Sequence, residues 1–425
     1  MPARTPRQEH PTQTPRSKKI LRIRILYIVS LFPCWSETFI VREIHEMIRL
    51  GVDVKIISLK HAEEKMVQSD AAVLTDHVVY PVAWWRSLFA VLGSIVRHPL
   101  QQIALFAEIF ASLGKHPGAF VKTLVVWWRS LGLLGTVRDM RVDHIHAHWA
   151  TYPSTSAMLI ASRLKIPFSF TAHAHDIFLD DHLLAQKMSR AKFTAAISVF
   201  NKNYLAERVK GANVADVRIV HCGVSPTLFP MVTALRDPAR ILAIGRLDHI
   251  KGFCHLIDAC AILRDKGVAF ACDVVGSGPL EAALTAQIRA HRLDAQVHLL
   301  GARRQEQIRQ FLHRAAIFAL PSVVTPAGDR DGIPVALMEA MASGLPVVST
   351  RVSGIPELVE DGITGLLAEP AHAASLAACI ERLLTDGPLA TALAARARHH
   401  VEQEFDVQKE TKKLFDAIAN SPSHA

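Results

Sequence analysis

The sequence predicts an α/β protein made of two doubly wound parallel-sheet domains that face each other across a cleft. Three observations carry that expectation. Short β-branched runs alternate with helical patterns, and the alternation stops at a Pro-rich stretch and then begins again. The chain has 425 residues, 50% of them hydrophobic, enough for two or three domains of roughly 150 residues each.

The first strand is read at Ile23 to Ser30, followed by a helix from Ser36 to Leu50 closed by Gly51, and then a strand at Val52 to Leu59. Strand, helix, strand in that order implies a parallel sheet. The same alternation resumes at Val142 to His148, Pro167 to His173, Phe193 to Ser198 and Val217 to Gly223. The break runs from Ser225 to Pro238, and a second series follows at Arg240 to Arg246, Ala269 to Gly276, Val297 to Gly301, Ile317 to Pro321 and Pro346 to Thr350. Ala- and Leu-rich helical patterns from Ala371 onward finish the chain, ending in Thr411 to Ala419. The expected division is a disordered basic tail (1–20), a first Rossmann-like domain (21–228), a second (229–400), and a terminal helix (401–420) that packs back on the first.

Composition narrows the classes. With 21 Gly and 22 Pro the chain is neither collagen-like nor a low-complexity linker, and six Cys without a close-spaced pair argue against a disulfide framework or zinc ribbon. A reducing compartment fits best. The formal charge of +9 suits an anionic small molecule, an acidic membrane or nucleic acid; no compact basic and aromatic stripe outside the tail favours nucleic acid. The tail itself has no apolar run of the kind a secretory signal needs. Between Pro81 and Gly135 the chain is apolar and carries Trp84, Trp85, Trp127 and Trp128, but Arg86, Arg97, Lys115, Lys122 and Arg129 interrupt it. None of these runs reaches the roughly 18 apolar residues of a spanning helix. Either these helices pack on their own domain, or they form a surface that dips into an anionic bilayer, with Trp at headgroup level and Lys or Arg above it.

Open α/β sheets bind ligands where strands end and helices begin, so the loops there hold the candidate chemistry. Gly245-Arg246-Leu247-Asp248-His249-Ile250-Lys251-Gly252 follows the opening strand of the second domain and leads into a helix. A forked guanidinium and a compact ammonium beside a helix N-terminus outline a diphosphate site, although the order is neither a Walker loop nor Gly-x-Gly-x-x-Gly. Gly276-Ser277-Gly278-Pro279 permits a tight turn and close approach of a ligand, a signal that plain turn chemistry explains as well. From Asp331 to Pro346 a carboxylate precedes a Gly-x-Pro turn and Glu339 follows eight residues later inside a helix. Two acceptors at two depths suit a ligand with two sets of hydroxyls.

These three segments together resemble the nucleotide-sugar domain of retaining family 4 glycosyltransferases with the GT-B fold. Pro33-Cys34-Trp35-Ser36-Glu37-Thr38-Phe39-Ile40 and His144-Ile145-His146-Ala147-His148-Trp149 are similar to the branch that builds bacterial exopolysaccharides such as colanic acid. The likeness runs from about Ile23 to Phe415. It implies that Arg246 and Lys251 hold the donor diphosphate, that Glu339 accepts from both ribose hydroxyls, and that Asp331 grips the donor sugar with the backbone of Gly332, Ile333 and Pro334. Gly276, Val335 and, at the base, Arg303 complete the donor contacts. His173 would touch the sugar near the reacting carbon, and Ser36, Glu37 and His148 would line the acceptor side. The resemblance also implies retention of configuration, a lipid-linked or oligosaccharide acceptor, no metal or other cofactor beside the nucleotide-sugar donor, and work in the cytoplasm, peripherally on the inner membrane face. The first domain is then the acceptor side and the second the donor side. One departure stands out: the family usually has Glu where this chain has Asp331, a carboxylate one methylene shorter.

Three rival readings remain from the sequence. His144, His146 and His148 alternate along a strand and so share a face, which with His173, His175 and Asp176 would suit a metal-dependent hydrolase. Asp180-Asp181-His182 reads better as a helix-start charge cluster than as ligands. A sugar-nucleotide 2-epimerase shares the two-domain plan, and Asp331 motivates a non-catalytic nucleotide-sugar binder.

Overall fold

The computed structural model describes residues 23–34, 37–61, 68–81, 84–209, 216–231 and 236–420. Ser36 and the tail of residues 1–20 lie outside them. Seven strands form the first sheet: β1 (Arg24–Leu31), β2 (Asp53–Lys60), β3 (Val78–Val79), β4 (His144–His148), β5 (Phe168–Ala172), β6 (Phe193–Ala196) and β7 (Val217–Ile219), in the order β3-β2-β1-β4-β5-β6-β7. Six form the second: β8 (Arg240–Ile244), β9 (Ala271–Val275), β10 (Val297–Leu299), β11 (Ile317–Ala319), β12 (Val347–Thr350) and β13 (Leu366–Ala368), in the order β10-β9-β8-β11-β12-β13. Every pairing within the two sheets is parallel.

Parallel sheets are covered on both faces, which is why Ile25 to Val29 of β1 are all fully buried in an unbroken apolar run. The two-residue β3 and the three-residue β13 are edge strands that the sequence reading missed, too short for a pattern to declare them. In each sheet the chain runs outward to one edge and returns to the centre, so the order reverses between β1 and β4 and again between β8 and β11. Crevices at such switch points are where open α/β sheets take ligands.

The chain crosses between the sheets twice, side by side. Val224 donates its N–H to Phe405 O at 2.9 Å, and Val407 returns the bond to Val224 O at 2.9 Å. The helix Val407–Asn420 then lies on the first domain, where Leu414, Ala417 and Ile418 share a core with Ile25, Tyr27, Ile40, Ile44 and Met47.

Between β3 and β4 stand three long helices, Trp84–Arg97, Pro99–Leu113 and Pro117–Met140. The last corrects the sequence reading. At 24 residues it is long and apolar enough, by length and composition, to cross a bilayer, because the helix continues through Lys122 and Arg129. Its Leu133 and Val137 are nevertheless part of the first domain's core, and Trp127 is buried with its indole N–H donated to Gln102 Oε1 at 3.2 Å. Trp84 and Trp85, by contrast, are exposed, as are Phe89, Val96, Leu100, Ile103 and Phe110 on the same helices.

The shared core fixes one expectation for stability. Leu414→Ala removes a fully buried side chain from beneath β1 and should destabilise the protein by about 2–5 kcal/mol, read as a lower urea midpoint.

Candidate functional site

The loops at the two switch points face one another. On the second domain, the loops after β8, β9 and β10 are pinned side by side: Gly245 N–H bonds Val275 O, Leu247 N–H bonds Ser277 O, and Gly276 N–H bonds Gly301 O, each at 3.0 Å. Gly276 has φ +150°, and a Cβ there would lie 1.8 Å from Gly245 O, so no side chain can occupy the position. This packing sets Arg246, Gly276 and Arg303 along one edge. Arg246 is 65% exposed and pairs with Asp248, while Arg303 is half-buried and donates to Ala302 O at 3.2 Å.

Lys251 and Asp331 form one unit. The Lys251 ammonium lies 2.7 Å from Asp331 Oδ1, and Ser322 Oγ donates to Oδ2 at 2.6 Å. Both partners come from loops that end at the β8/β11 switch point, and the pair is largely buried. The shorter Asp side chain is therefore held low in the crevice by two donors. Gly332, next in the chain, presses on the first domain: a Cβ would fall 2.7 Å from Ile197 Cδ1 and 3.1 Å from His173 O. Ile333 is buried, Pro334 caps the helix Val335–Ala342, and Val335 opens it. Glu339 projects from that helix toward the facing domain, where Arg42 Nη2 meets its Oε1 at 2.5 Å; from Glu339's own domain, Gln305 Nε2 donates to the same oxygen at 3.3 Å.

On the first domain a line of hydrogen bonds leads inward from the seam. His173 Nε2 lies 3.2 Å from His148 Nδ1, and His148 Nε2 lies 3.2 Å from Glu43 Oε1, which also accepts from Tyr27 Oη at 2.9 Å. Cys222 Sγ is 3.7 Å from His173 Nδ1. With Glu43 ionised, its carboxylate accepts from His148 and from the Tyr27 hydroxyl. Burial pushes Glu43 up, but the charge and hydrogen bond of His148 outweigh it and hold the carboxyl below its ordinary value. Burial raises the Cys222 thiol out of range of ionisation at neutral pH. Burial, then His148 and His146, push His173 well down.

This arrangement changes two expectations. His148, read as an acceptor-side residue, is 1% exposed with both ring nitrogens committed inside the domain. His173 also has both ring nitrogens turned inward, its ring enclosed by Trp149 and Phe39. Glu37 stands at the start of the helix Thr38–Arg49, its N–H bonded to Cys34 O at 3.4 Å.

The shared face of β4 is real; His146 and His148 have both ring nitrogens bonded inside the domain, and His144 bonds through Nε2 while its buried Nδ1 has no partner among the described residues. His144 Nε2 and His146 Nδ1 both meet Ser169 Oγ, at 2.7 and 2.8 Å, and His146 Nε2 meets Thr171 Oγ1 at 3.0 Å, the cross-strand neighbours that the register supplies. Among the described residues, Glu43, His146 and His148 are the ligating groups drawn together, but the nitrogens that a cation would need are already bonded. The Asp176 carboxylate is taken by three backbone N–H groups, of Ala150, His173 and Ala174. Lys187, pushed down to about 7 by burial, anchors the same loops through Ala150 O, Thr151 O and His182 O. Of the residues read as a hydrolase ligand set, His146, His148, His173 and Asp176 are committed to hydrogen bonds inside the domain, and exposed His175 pairs with Asp329 and Asp180.

Arg42, Glu43, Gln305, Ser322 and Cys222 escaped the sequence reading. Ile40, Ile44 and Met47 mark the helix's inward stripe, on which Glu43 also falls, whereas Arg42 reads as a solvated position until the second domain covers it. A signal existed only in the run of apolar residues on both sides of that charged pair.

Two all-parallel, doubly wound sheets with their switch-point loops set against each other are the GT-B architecture of glycosyltransferases. Residues 229–400 match the family model described as glycosyl transferases group 1. The amylovoran biosynthesis glycosyltransferase AmsK of Erwinia amylovora is 42% identical over 422 residues, covering 93% of this chain and 99% of its own. WcaL of Salmonella typhimurium, named for colanic acid biosynthesis, is 38% identical over the same shares, 93% and 99%. Among solved structures, Anabaena HepE in complex with UDP and glucose superposes with a TM-score of 0.70 at 19% identity, covering 94% of this chain and 100% of its own. This chain belongs to the group 1 glycosyltransferases.

The buried histidines set a pH dependence. Burial and then His148 push His146 down to about 3, and burial depresses His144 and His173 as well. Unfolded, each takes up its proton near 6.5, so between about 6.5 and 3 the unfolded chain binds more protons and stability falls as pH falls. Stability read by urea denaturation should decline below pH 6.5, by roughly 1.4 kcal/mol per pH unit for each such histidine still neutral in the folded chain. His146→Gln should flatten that decline.

Proposed function

We propose that this chain is a retaining hexosyltransferase of the family 4 type, moving a sugar from a nucleotide-diphosphate sugar to a lipid-linked saccharide acceptor during assembly of an exopolysaccharide. The observation that carries the reading is the Lys251–Asp331 pair at the β8/β11 switch point, set against the His173 loop, with Glu339 one level away. The names of AmsK and WcaL support the exopolysaccharide, and the UDP and glucose seen with HepE support the donor class.

Departure of a nucleoside diphosphate puts negative charge on the β-phosphate. The Lys251 ammonium keeps two N–H donors beyond the one that Asp331 takes, and Arg246 adds a guanidinium at the rim; cations already in place stabilise that charge without reorganising solvent. Glu339 accepts from the ribose, Asp331 and the Gly332–Pro334 backbone take the sugar, and Gly276, Val335 and Arg303 line the rest of the donor. The acceptor arrives on the leaving-group face past Ser36 and Glu37, and a phosphate oxygen takes its proton. No side-chain base is needed, in keeping with the neutral, internally bonded His173. That ring touches the sugar once it gives up one of its present partners.

The enzyme works on the cytoplasmic face of the membrane. Supporting this, the helices Trp84–Arg97, Pro99–Leu113 and Pro117–Met140 present exposed Trp84, Phe89, Leu100 and Phe110 together with exposed Arg97, Lys115 and Lys122. On a density gradient at low salt the protein should float with anionic vesicles; protein left at the bottom would remove the membrane from the reading.

A thermal-shift panel of UDP, GDP, ADP and their sugars should show one preferred donor raising the melting temperature. With that donor and a membrane extract, Lys251→Ala should lower turnover about a hundredfold or more while the fold is kept. Unchanged turnover would take Lys251 out of the mechanism.

A further inference from the structure

We infer that Arg42, from the first domain, is a nucleotide-binding residue that completes the ribose site of Glu339. This rests on the reading of Glu339 as the ribose acceptor and goes beyond it, since it draws the donor's pentose into contact with both domains.

Four observations converge on the guanidinium. Arg42 is 7% exposed and meets Glu339 Oε1 through Nη2. Its Nη1 is buried and has no hydrogen-bond partner among the described residues. The group lies over the Phe229 ring, 5.3 Å from its centroid, so packing holds its plane as well as the ion pair does. Gln305 Nε2 donates to the same carboxylate oxygen as Arg42, which concentrates the donors on Oε1 and leaves Oε2 as the lone-pair face of Glu339.

An unpaired buried N–H is costly, and native structures leave few of them. Here the unpaired donor sits beside a carboxylate that has acceptor capacity to spare. A vicinal diol matches that combination, because each hydroxyl offers one O–H and also oxygen lone pairs. One ribose hydroxyl donates to Glu339, and a ribose oxygen accepts from Arg42 Nη1. A carboxylate alone would satisfy only the protons of the diol; the planar fork of Arg supplies the second half while its other arm keeps Glu339 oriented.

The contact also ties ribose recognition to closure of the cleft. Arg42 and Glu339 come from opposite sides of the seam, and beside them Gln305 N–H reaches across to Gln68 Oε1 at 3.2 Å. Ribose bound to the second domain alone would lack the Arg42 donor until the first domain closes on it.

The test is isothermal titration of the full chain with UDP, GDP and ADP, followed by the 2′-deoxy and 3′-deoxy forms of whichever nucleotide binds. Wild type is compared with Arg42→Met, Arg42→Lys and Glu339→Gln, with thermal melting to confirm folding. Arg42→Met should weaken the ribonucleotide roughly tenfold. It should also shrink the penalty for removing one ribose hydroxyl, so that deoxy and ribo forms bind the variant more alike than they bind wild type. Arg42→Lys keeps the ion pair without the fork and should show the same narrowing, which preserves the test if the Met variant fails to fold. Unchanged or tighter binding in a folded Arg42 variant overturns the proposal, as does weakening that is equal for ribo and deoxy forms. Should Glu339→Gln bind as wild type does, or none of the three nucleotides bind, the ribose reading itself fails and takes this one with it. Weakening in Glu339→Gln alone sinks only the role of Arg42.

Discussion

The structure turns on a contact made without a side chain. Gly332 brings the loop after β11 so close to the loop after β5 that a single added carbon would collide with Ile197 and crowd the carbonyl of His173. Gly354 makes a second such approach, to Ser198, and Glu357 accepts from Val199 and Phe200 beside it. The approach at Gly332 places the Lys251–Asp331 pair against the first domain, and it lets the helix behind Pro334 bring Glu339 within reach of Arg42. An added Cβ at position 332 would require the end of the Ile197 side chain to turn aside and the His173 carbonyl to give way slightly.

The two sides of the cleft solve opposite electrostatic problems. The second domain gathers charge: Arg246, Lys251 and Asp331 stand in loops after strands and Glu339 in the helix Val335–Ala342 behind them. The first domain suppresses charge. Its histidines lie in the interior, where burial favours the neutral ring, and Ser169, Thr171 and Glu43 absorb their hydrogen bonds. The helix Thr38–Arg49 joins the two sides, since Arg42 reaches Glu339 across the seam and its neighbour Glu43 reaches His148 in the interior.

Much of this was legible in the residues. The alternation of strands and helices located eleven of the strands now seen, because a buried parallel strand needs a continuous apolar run and such runs are conspicuous. Arg246, Lys251, Asp331 and Glu339 stood out because charged residues beside Gly turns at strand ends have few structural duties. β3 and β13 did not, since two or three residues carry no period. The Pro117–Met140 helix was misjudged because the interrupting Lys122 and Arg129 were counted as ends, whereas long basic side chains reach solvent from within an unbroken helix. The burial of His148 is not legible in the sequence, because alternation along a strand tells which residues share a face, not whether that face meets a cleft or another layer.

By itself, then, the order of residues determined the two parallel sheets, their separate cores and the second-domain loops that carry charge, because all of these follow from local periodicity and turn chemistry. Only the tertiary structure decided which groups meet across the seam. Arg42 lies 297 positions from Glu339 and Lys251 lies 80 from Asp331, separations over which no helical or strand repeat carries information. Those pairings exist because two independently folded sheets present their switch points to each other, a relation set by packing at Gly332 and by the terminal helix that ties the domains together.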